Sequence, residues 1–434
     1  MTTSDLTRYR EAFVWIWLPG KTEPVVAGKL TVEGNAIVFN YGKSYLEREH
    51  AIAIYDAELP LRSGVIPLLP GLNMPGCIRD GAPDAWGRRV IINRKFGLKG
   101  VRLEDGQLDE LTYFLESGSD RIGALDFQRS ATDYEPRLAA GADLEELSDA
   151  AERVEKGVPL TPELDDALHH GTSIGGARPK VLIDSEDKKY IAKFPTSADL
   201  YSIIKAEFIA MRLAEKAGLN VAPVKLVKSS RKEVLLIERF DRIPAGNDWH
   251  RKSMVSALTL LGLDEMMARY ASYEDLAEIV RRKFRNASQT LKELFSRLTF
   301  NILVGNTDDH ARNHAAFWDG ERLSLTPAYD ICPQGRSGNE ASQAMLISGG
   351  NRMSRLSACF DAAHNFLLSR EAAIRIAGEQ ISCIGENWKD ICEEAEVSET
   401  DRNLLWARQF LNPYAFDDLG DDCSALVDRR KQYK

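Results

Sequence analysis

The most constraining feature of this sequence is a change of periodicity near its middle. Lys180–Ile183 and Tyr190–Phe194 read as short strands around an Asp184-Ser-Glu-Asp-Lys188 turn. Tyr201–Ala217 follows with helical spacing and a stop at Gly218, and Val234–Phe240 is a strong apolar strand. From about residue 253 the pattern turns helical, with Leu291, Leu294, Phe295, Leu298 and Ile302 on one face. This order predicts an α+β chain of two lobes, a small β-rich lobe over 171–245 and a large helical lobe over 246–434. Within the second, His314–Trp318, an Asp319-Gly320 turn and Arg322–Leu325 predict one short hairpin.

The lobes are preceded by more β-rich sequence. Ala12–Leu18, Val25–Val32 and Ala36–Phe39 are β-branched or aromatic runs separated by Pro19-Gly20 and Glu33-Gly34-Asn35. A small N-terminal β-rich subdomain over 1–125 fits, followed by a helical connector over 126–170. In the connector, Asp143–Lys156 predicts a helix with an acidic first turn, and Thr161-Pro162 predicts the start of another. Ala85–Asn93 reads as a helix start, and the basic tail Arg429–Lys434 is expected to fray.

A chain of 434 residues exceeds one core, so several domains are expected. A net charge of −9 disfavours stand-alone nucleic-acid binding. The six cysteines are scattered, the N-terminus lacks a leader pattern, and no window is apolar enough to span a membrane. A soluble, cytoplasmic protein is the expectation.

The chemistry begins in the loop after the helical face, Asn301-Ile-Leu-Val-Gly-Asn-Thr-Asp-Asp-His-Ala-Arg-Asn313. Asp308 and Asn313 stand five apart, the Asp-to-Asn spacing of a kinase catalytic loop. A carboxylate there accepts a hydrogen bond from an attacking hydroxyl, while an amide oxygen helps hold magnesium. On spacing alone, two turn-capping residues explain the pair as well. Asp309 is a rival for the acid, but its spacing to Asn313 is four. Past the expected hairpin, Thr326-Pro-Ala-Tyr-Asp330 supplies a second acid, the position of a main metal ligand in kinases. The alternative for Asp330 is a helix N-cap.

Upstream, Ser173-Ile-Gly-Gly-Ala-Arg-Pro-Lys180 is a glycine-bearing turn able to bring N–H groups to phosphates. Lys193 lies on the second strand, positioned to meet α- and β-phosphates, and Glu207 on the next helix is a candidate partner for it. Val234–Arg242 would form the last strand and hinge, with Glu238 and Phe240 as candidates at an adenine. Each part has a bland reading: an exposed strand lysine, a solvated helix glutamate, a core phenylalanine. The order of all of them together is far less easily explained by chance.

These stretches resemble the HipA family of serine/threonine kinase toxins. The resemblance is carried by Ser173–Ala177 with Lys180, Ile237-Glu-Arg-Phe-Asp-Arg242, Gly305–Asn313 and Pro327-Ala-Tyr-Asp330, with Arg79-Asp-Gly-Ala-Pro-Asp-Ala-Trp-Gly-Arg88 matching the smaller domain that precedes the kinase. It implies a protein-kinase-like two-lobed fold that uses ATP and Mg2+. By resemblance, Asp308 is catalytic and Asn313 and Asp330 hold magnesium. Ser173, Gly175, Gly176, Ala177, Lys180, Lys193, Glu238, Phe240 and His310 belong to the nucleotide site, His310 in a structural role. Ser173 is the implied autophosphorylation site, with Thr172 as its neighbour; a phosphoserine there adds about −1.5 to −2 charges that compete with nucleotide phosphates. One departure is Arg178-Pro179, because proline removes an N–H from the loop.

The resemblance further implies a small helix-turn-helix antitoxin resembling HipB, operator DNA reached through it, and a protein substrate such as an aminoacyl-tRNA synthetase. Two other readings stay open at this point. One is an aminoglycoside-type small-molecule phosphotransferase, disfavoured by the N-terminal β domain. The other is an ATP-binding pseudokinase acting as a corepressor, disfavoured by the presence of Lys193, Asp308, Asn313 and Asp330 together.

Overall fold

The computed structural model describes residues 9–96, 108–138, 143–161, 164, 165, 168, 176, 178–185, 187–196, 199, 201–229, 232–336 and 338–433. The chain forms two compact units. One comprises residues 1–196, 228–255 and 318–321, the other 197–227, 256–317 and 322–434.

The first unit opens with an antiparallel sheet of β1 (Glu11–Trp17), β2 (Pro24–Glu33), β3 (Ala36–Tyr41) and β4 (Leu125–Gln128), in the order β3-β2-β1-β4. The first three strands lie where their β-branched and aromatic runs predict. β4 is unexpected, because Asp126 and Gln128 make its sequence look like loop. Both are nevertheless buried. Asp126 is paired with Arg121 at 2.8 Å and Arg137 at 3.0 Å, and it accepts a hydrogen bond from Gln128 Nε2 at 2.9 Å. Ion pairing here overrides local propensity.

The helix Ala85–Phe96 runs three residues past the expected Asn93. The helix Leu144–Glu155 has a capping box, in which the Asp143 side chain takes the Glu146 N–H and the Glu146 side chain returns to the Asp143 N–H. The helix expected from Thr161-Pro162 lies mostly outside the described residues. A second antiparallel run follows: β5 (Lys180–Asp184), β6 (Lys189–Lys193) and, after β7 (Val224–Ser229), β8 (Lys232–Glu238), with β6 between β5 and β8.

The second unit is mainly helical. Its centre is the helix Ala287–Leu303, where Leu291, Leu294, Phe295, Leu298 and Ile302 are all fully buried, as their spacing predicts. The helix Ile203–Lys216, capped by Ser202 and followed by Gly218 at φ +79°, packs beside the long helix Arg370–Glu394. Two strands, Ala315–Trp318 and Leu323–Leu325, follow the candidate loop, and the Thr326 N–H closes back on the Ala315 carbonyl at 3.0 Å. The basic tail departs from expectation. Residues Ser424–Lys431 form a helix, and Arg430 donates to the Leu411 carbonyl at 2.7 Å. Tyr433 packs over Gly385, where only a glycine leaves room for the ring. Among the described residues, no helix is long and apolar enough to cross a membrane.

Candidate active site

Each unit carries part of the predicted chemistry. In the first, Ser173, Gly175 and Ala177, together with Thr172, lie outside the described residues. Gly176 is described, at φ +109°, and any side chain there would run into the Lys180 ammonium. The positive φ is what favours glycine here, since the ammonium ends a flexible side chain that can swing aside. Lys180 opens β5 and Lys193 closes β6; both are buried, and the strand register sets them directly opposite each other. Directly opposed residues share a face of the sheet, so this pairing places two ammonium groups on one face, next to the glycine turn. Like charges so placed are costly unless an anion joins them.

Trp86, unassigned by the spacing argument, holds this corner. It is completely buried. Its indole N–H donates to the Lys180 carbonyl at 2.9 Å, and its backbone N–H donates to the Gly176 carbonyl at 3.2 Å. The Arg79–Arg88 stretch therefore braces the start of β5 and the glycine turn.

At the far end of the sheet, Glu238 is half-buried and paired with Lys188 at 2.6 Å, which raises the Lys188 ammonium above its usual range. Phe240 is half-buried two residues on. Between and beyond them, Arg239, Asp241 and Arg242 are buried and engaged in an ion network.

In the second unit, the helix Ala287–Leu303 ends at Gly305 (φ +71°), where a Cβ would stand 2.7 Å from the Gln409 carbonyl oxygen. The loop then turns over itself. The Asp308 carbonyl accepts the His310 N–H at 2.9 Å and the Asn313 side-chain amide at 3.2 Å. Asn313 thereby spends its N–H on the loop, leaving its Oδ1 as the atom suited to a cation. The Asp308 side chain stays exposed, and His310 is half-buried.

The acids of this loop divide by environment. Asp309 is 1% exposed. It accepts hydrogen bonds from Tyr273 Oη and from His314 Nε2, the latter at 2.9 Å. Burial alone would raise its carboxyl, but His314, Tyr273 and Asn301 hold it below the usual range. Asp309 is committed to structure. Asp308 is pushed the other way, first by desolvation, then by the carboxylates of Asp330 and Asp309, against the pull of His310 and Arg312. Asp308 and Asp330 are thus close enough to feel each other's charge.

Asp330 is held in the left-handed region at φ 59°, uncommon outside glycine. No helix begins there; the next helix of the described residues starts at Leu356, which removes the N-cap alternative. The segment leading to Asp330 is clamped. The Ala328 N–H donates to the Asn220 carbonyl at 2.8 Å, and Tyr329 Oη donates to the Arg312 carbonyl at 2.7 Å. Arg297, buried on the central helix, donates to the carbonyls of Asn220 at 3.1 Å and Thr326 at 2.9 Å, and is paired with Glu293 at 2.8 Å. An arginine beside Leu298 on an apolar face was the available signal for this clamp. Glu207 is buried on the helix Ile203–Lys216 of this same unit.

The Asp330 carboxylate and the Asn313 Oδ1 are hard oxygen donors of the kind a magnesium ion takes beside phosphate oxygens and water.

Comparison with known proteins adds three findings. The HipA-like C-terminal domain family matches residues 172–388, and the HipA N-terminal domain family matches residues 17–128. Among curated proteins, Y4mE of Sinorhizobium fredii, named as a kinase, is 26% identical over 349 residues, covering 73% of this chain and 76% of that one. The serine/threonine-protein kinase toxin HipA of Shewanella oneidensis is 28% identical over 186 residues, covering 37% of this chain and 42% of its own length. Among solved structures, the Shewanella oneidensis HipA, HipB and operator DNA complex contains a chain with a TM-score of 0.63 at 20% identity, covering 97% of this chain and 95% of that one. The likeness extends over both units and shows a common fold.

Proposed function

This chain belongs to the HipA family, and from that premise we propose that it is an ATP-dependent serine/threonine protein kinase acting as the toxin of a toxin–antitoxin module. The observation that carries the reading is the division of labour among the loop acids. Asp309 is buried and bonded, while Asp308 keeps an exposed side chain whose carboxyl is raised first by partial desolvation and then by Asp330 and Asp309. A raised, accessible carboxyl suits a group that accepts a hydroxyl proton; a buried, lowered one suits a strut.

In this reading Asp308 accepts a hydrogen bond from the acceptor serine or threonine. The hydroxyl oxygen forms a bond to the γ-phosphorus as the bond to the β–γ bridging oxygen breaks. ADP leaves, and the hydroxyl proton passes to Asp308. Lys193 and Lys180 hold the phosphates, helped by the glycine turn at Gly176, and Glu238 and Phe240 meet the adenine. Asp330 and Asn313 would hold magnesium. When bound, the ion neutralises phosphate charge and steadies the transferred group.

Ser173 is the proposed autophosphorylation site. The protein substrate is proposed to be a translation factor such as an aminoacyl-tRNA synthetase, by family analogy. The solved Shewanella relative sits with HipB and operator DNA, which supports a helix-turn-helix antitoxin and DNA as partners here.

The test is the intact mass of the protein after incubation with Mg-ATP, beside an Asp308→Ala control. The expected result is a phosphate gained by the wild type alone, mapped to Ser173. A wild type that binds ATP but gains no phosphate, even with candidate substrates added, would point to a pseudokinase corepressor and overturn the reading.

A further inference from the structure

The stretch Glu238–Arg242 does more than present Glu238 and Phe240. Arg239, Asp241 and Arg242 are 4%, 2% and 5% exposed. All three engage one short turn, Asp120–Gly123, which leads into β4 of the N-terminal sheet. Arg239 reaches the Asp120 carboxylate at 3.1 Å and the Arg121 carbonyl at 2.7 Å. Arg242 reaches the same carboxylate at 2.7 Å and the Gly123 carbonyl at 2.9 Å. Asp241 accepts the Gly123 N–H at 2.8 Å and is paired with both Arg239 (2.8 Å) and Arg242 (2.7 Å). Lys189, at the start of β6, adds a third cation to Asp120 at 3.0 Å.

The charge balance shows where this network is vulnerable. Two buried arginines, Arg239 and Arg242, share the buried carboxylates of Asp120 and Asp241, while Lys189 divides itself between Asp120 and the exposed Asp184, at 2.8 Å. Arg251 stands close by, donating to the Ser119 carbonyl at 3.0 Å, and burial with Arg242's repulsion lowers its guanidinium to about 10. Asp120 is the one acid that touches all three cations. Burial would raise its carboxyl, yet Arg239, Arg242, Lys189 and Arg251 hold it well below the usual range. Without Asp120, Lys189 keeps Asp184, but the two buried arginines face the single carboxylate of Asp241 and repel one another.

Arg239 and Asp241 flank Phe240 in the chain, and their side chains anchor its backbone from both sides. The Arg239 N–H is also fixed, to the Lys189 carbonyl at 2.8 Å. We infer that Asp120 is a positioning residue for the nucleotide, acting through Arg239, Asp241 and Arg242 to hold Phe240 and Glu238 in place. The N-terminal subdomain thereby contributes to ATP affinity through a residue that touches no part of ATP. The inference rests on the kinase reading and on its placement of the adenine.

The test compares full-length wild type, Asp120→Asn, Asp120→Glu and Arg242→Lys, using ATP titration calorimetry and the ATP dependence of autophosphorylation, with thermal melts to establish folding. Displacement of the hinge predicts that Asp120→Asn raises KM for ATP about tenfold or more, with kcat changed less than about twofold. Asp120→Glu, which restores the charge, recovers part of the loss. If Asp120→Asn does not fold, Arg242→Lys decides. It keeps the charge and loses the bonds to the Arg121 and Gly123 carbonyls, so KM should still rise several-fold. A role in folding alone would lower the active fraction and leave KM unchanged, and a wild-type KM in the folded variants overturns the inference. A wild type that binds no ATP overturns the kinase reading instead.

Discussion

Replacing Arg297 with methionine removes a guanidinium that is 2% exposed and serves three acceptors. The Thr326 carbonyl loses the donor Arg297 supplied at 2.9 Å, whereas the Asn220 carbonyl keeps the Ala328 N–H at 2.8 Å. Glu293 keeps the Asn220 N–H at 3.1 Å, and its side chain is 22% exposed, so water can replace the lost cation. One orphaned carbonyl costs about 1–3 kcal/mol, and weakening the bonds to the other two acceptors adds about 1–2. Methionine regains some apolar burial and is relieved of burying a charge. The net expectation is a loss of about 2–4 kcal/mol, centred on the segment Asn220 and Thr326–Asp330. Urea unfolding of the second unit, with hydrogen exchange read at Ala328–Asp330, measures it. Exchange there should rise, and phosphoryl transfer should fall by more than the folded fraction does, because Asp330 lies just beyond the clamp. A change below about 0.5 kcal/mol with unaltered exchange would refute the argument that this arginine fixes the Asp330 segment.

Two further outcomes are expected. Asp330→Ala should weaken Mg-ATP binding by calorimetry while binding of nucleotide without metal changes much less; equal losses with and without magnesium would contradict the metal role. Asp241 supplies a pH test, because Arg239 and Arg242 outweigh burial and lower its carboxyl to about 2. A folded value below the unfolded one, which is about 3.9, stabilises the fold above that pH, and the contribution is lost as pH falls toward 2. It amounts to about 2–3 kcal/mol at neutral pH. Melting temperatures of wild type and Asp241→Asn should therefore differ most near pH 7, lose part of the gap between about pH 5 and 3, and converge only near and below about pH 2. A constant gap would show that the charge of Asp241 is not what stabilises the network.

Much of the fold was legible because it rests on local patterns. The leucine face of Ala287–Leu303, the acidic-started helix after Asp143, the helix stop at Gly218 and the turn-bounded strands β1 to β3 each follow from spacing or from turn chemistry within a few residues. β4 was hidden because Asp126 is a poor strand residue until Arg121 and Arg137 pair with it. The continuation of the last helix through Arg429–Lys431 was hidden because its cations read as solvated until Leu411 and Gly385 come into contact with this end of the chain.

For the candidate site, the order of residues along the chain was enough to nominate Lys193, Glu207, Asp308, Asn313 and Asp330, since kinase chemistry asks for those groups in that succession, while Lys180 was nominated by the family resemblance. Spacing favoured Asp308 over Asp309, but their contrasting environments come from the folded loop: Tyr273 reaches Asp309 from 36 residues away and His314 from the loop's far end, while partial burial and then Asp330 raise Asp308. The supporting roles of Trp86 and Asp120 were invisible for the same reason, and Arg297 showed only as a charge on an apolar helix. Residue type and period act over one or two turns of chain, and they determine which elements form. A buried charge or indole acquires its meaning only from partners that folding brings together, here across 94 residues for Trp86 and Lys180 and 122 for Asp120 and Arg242.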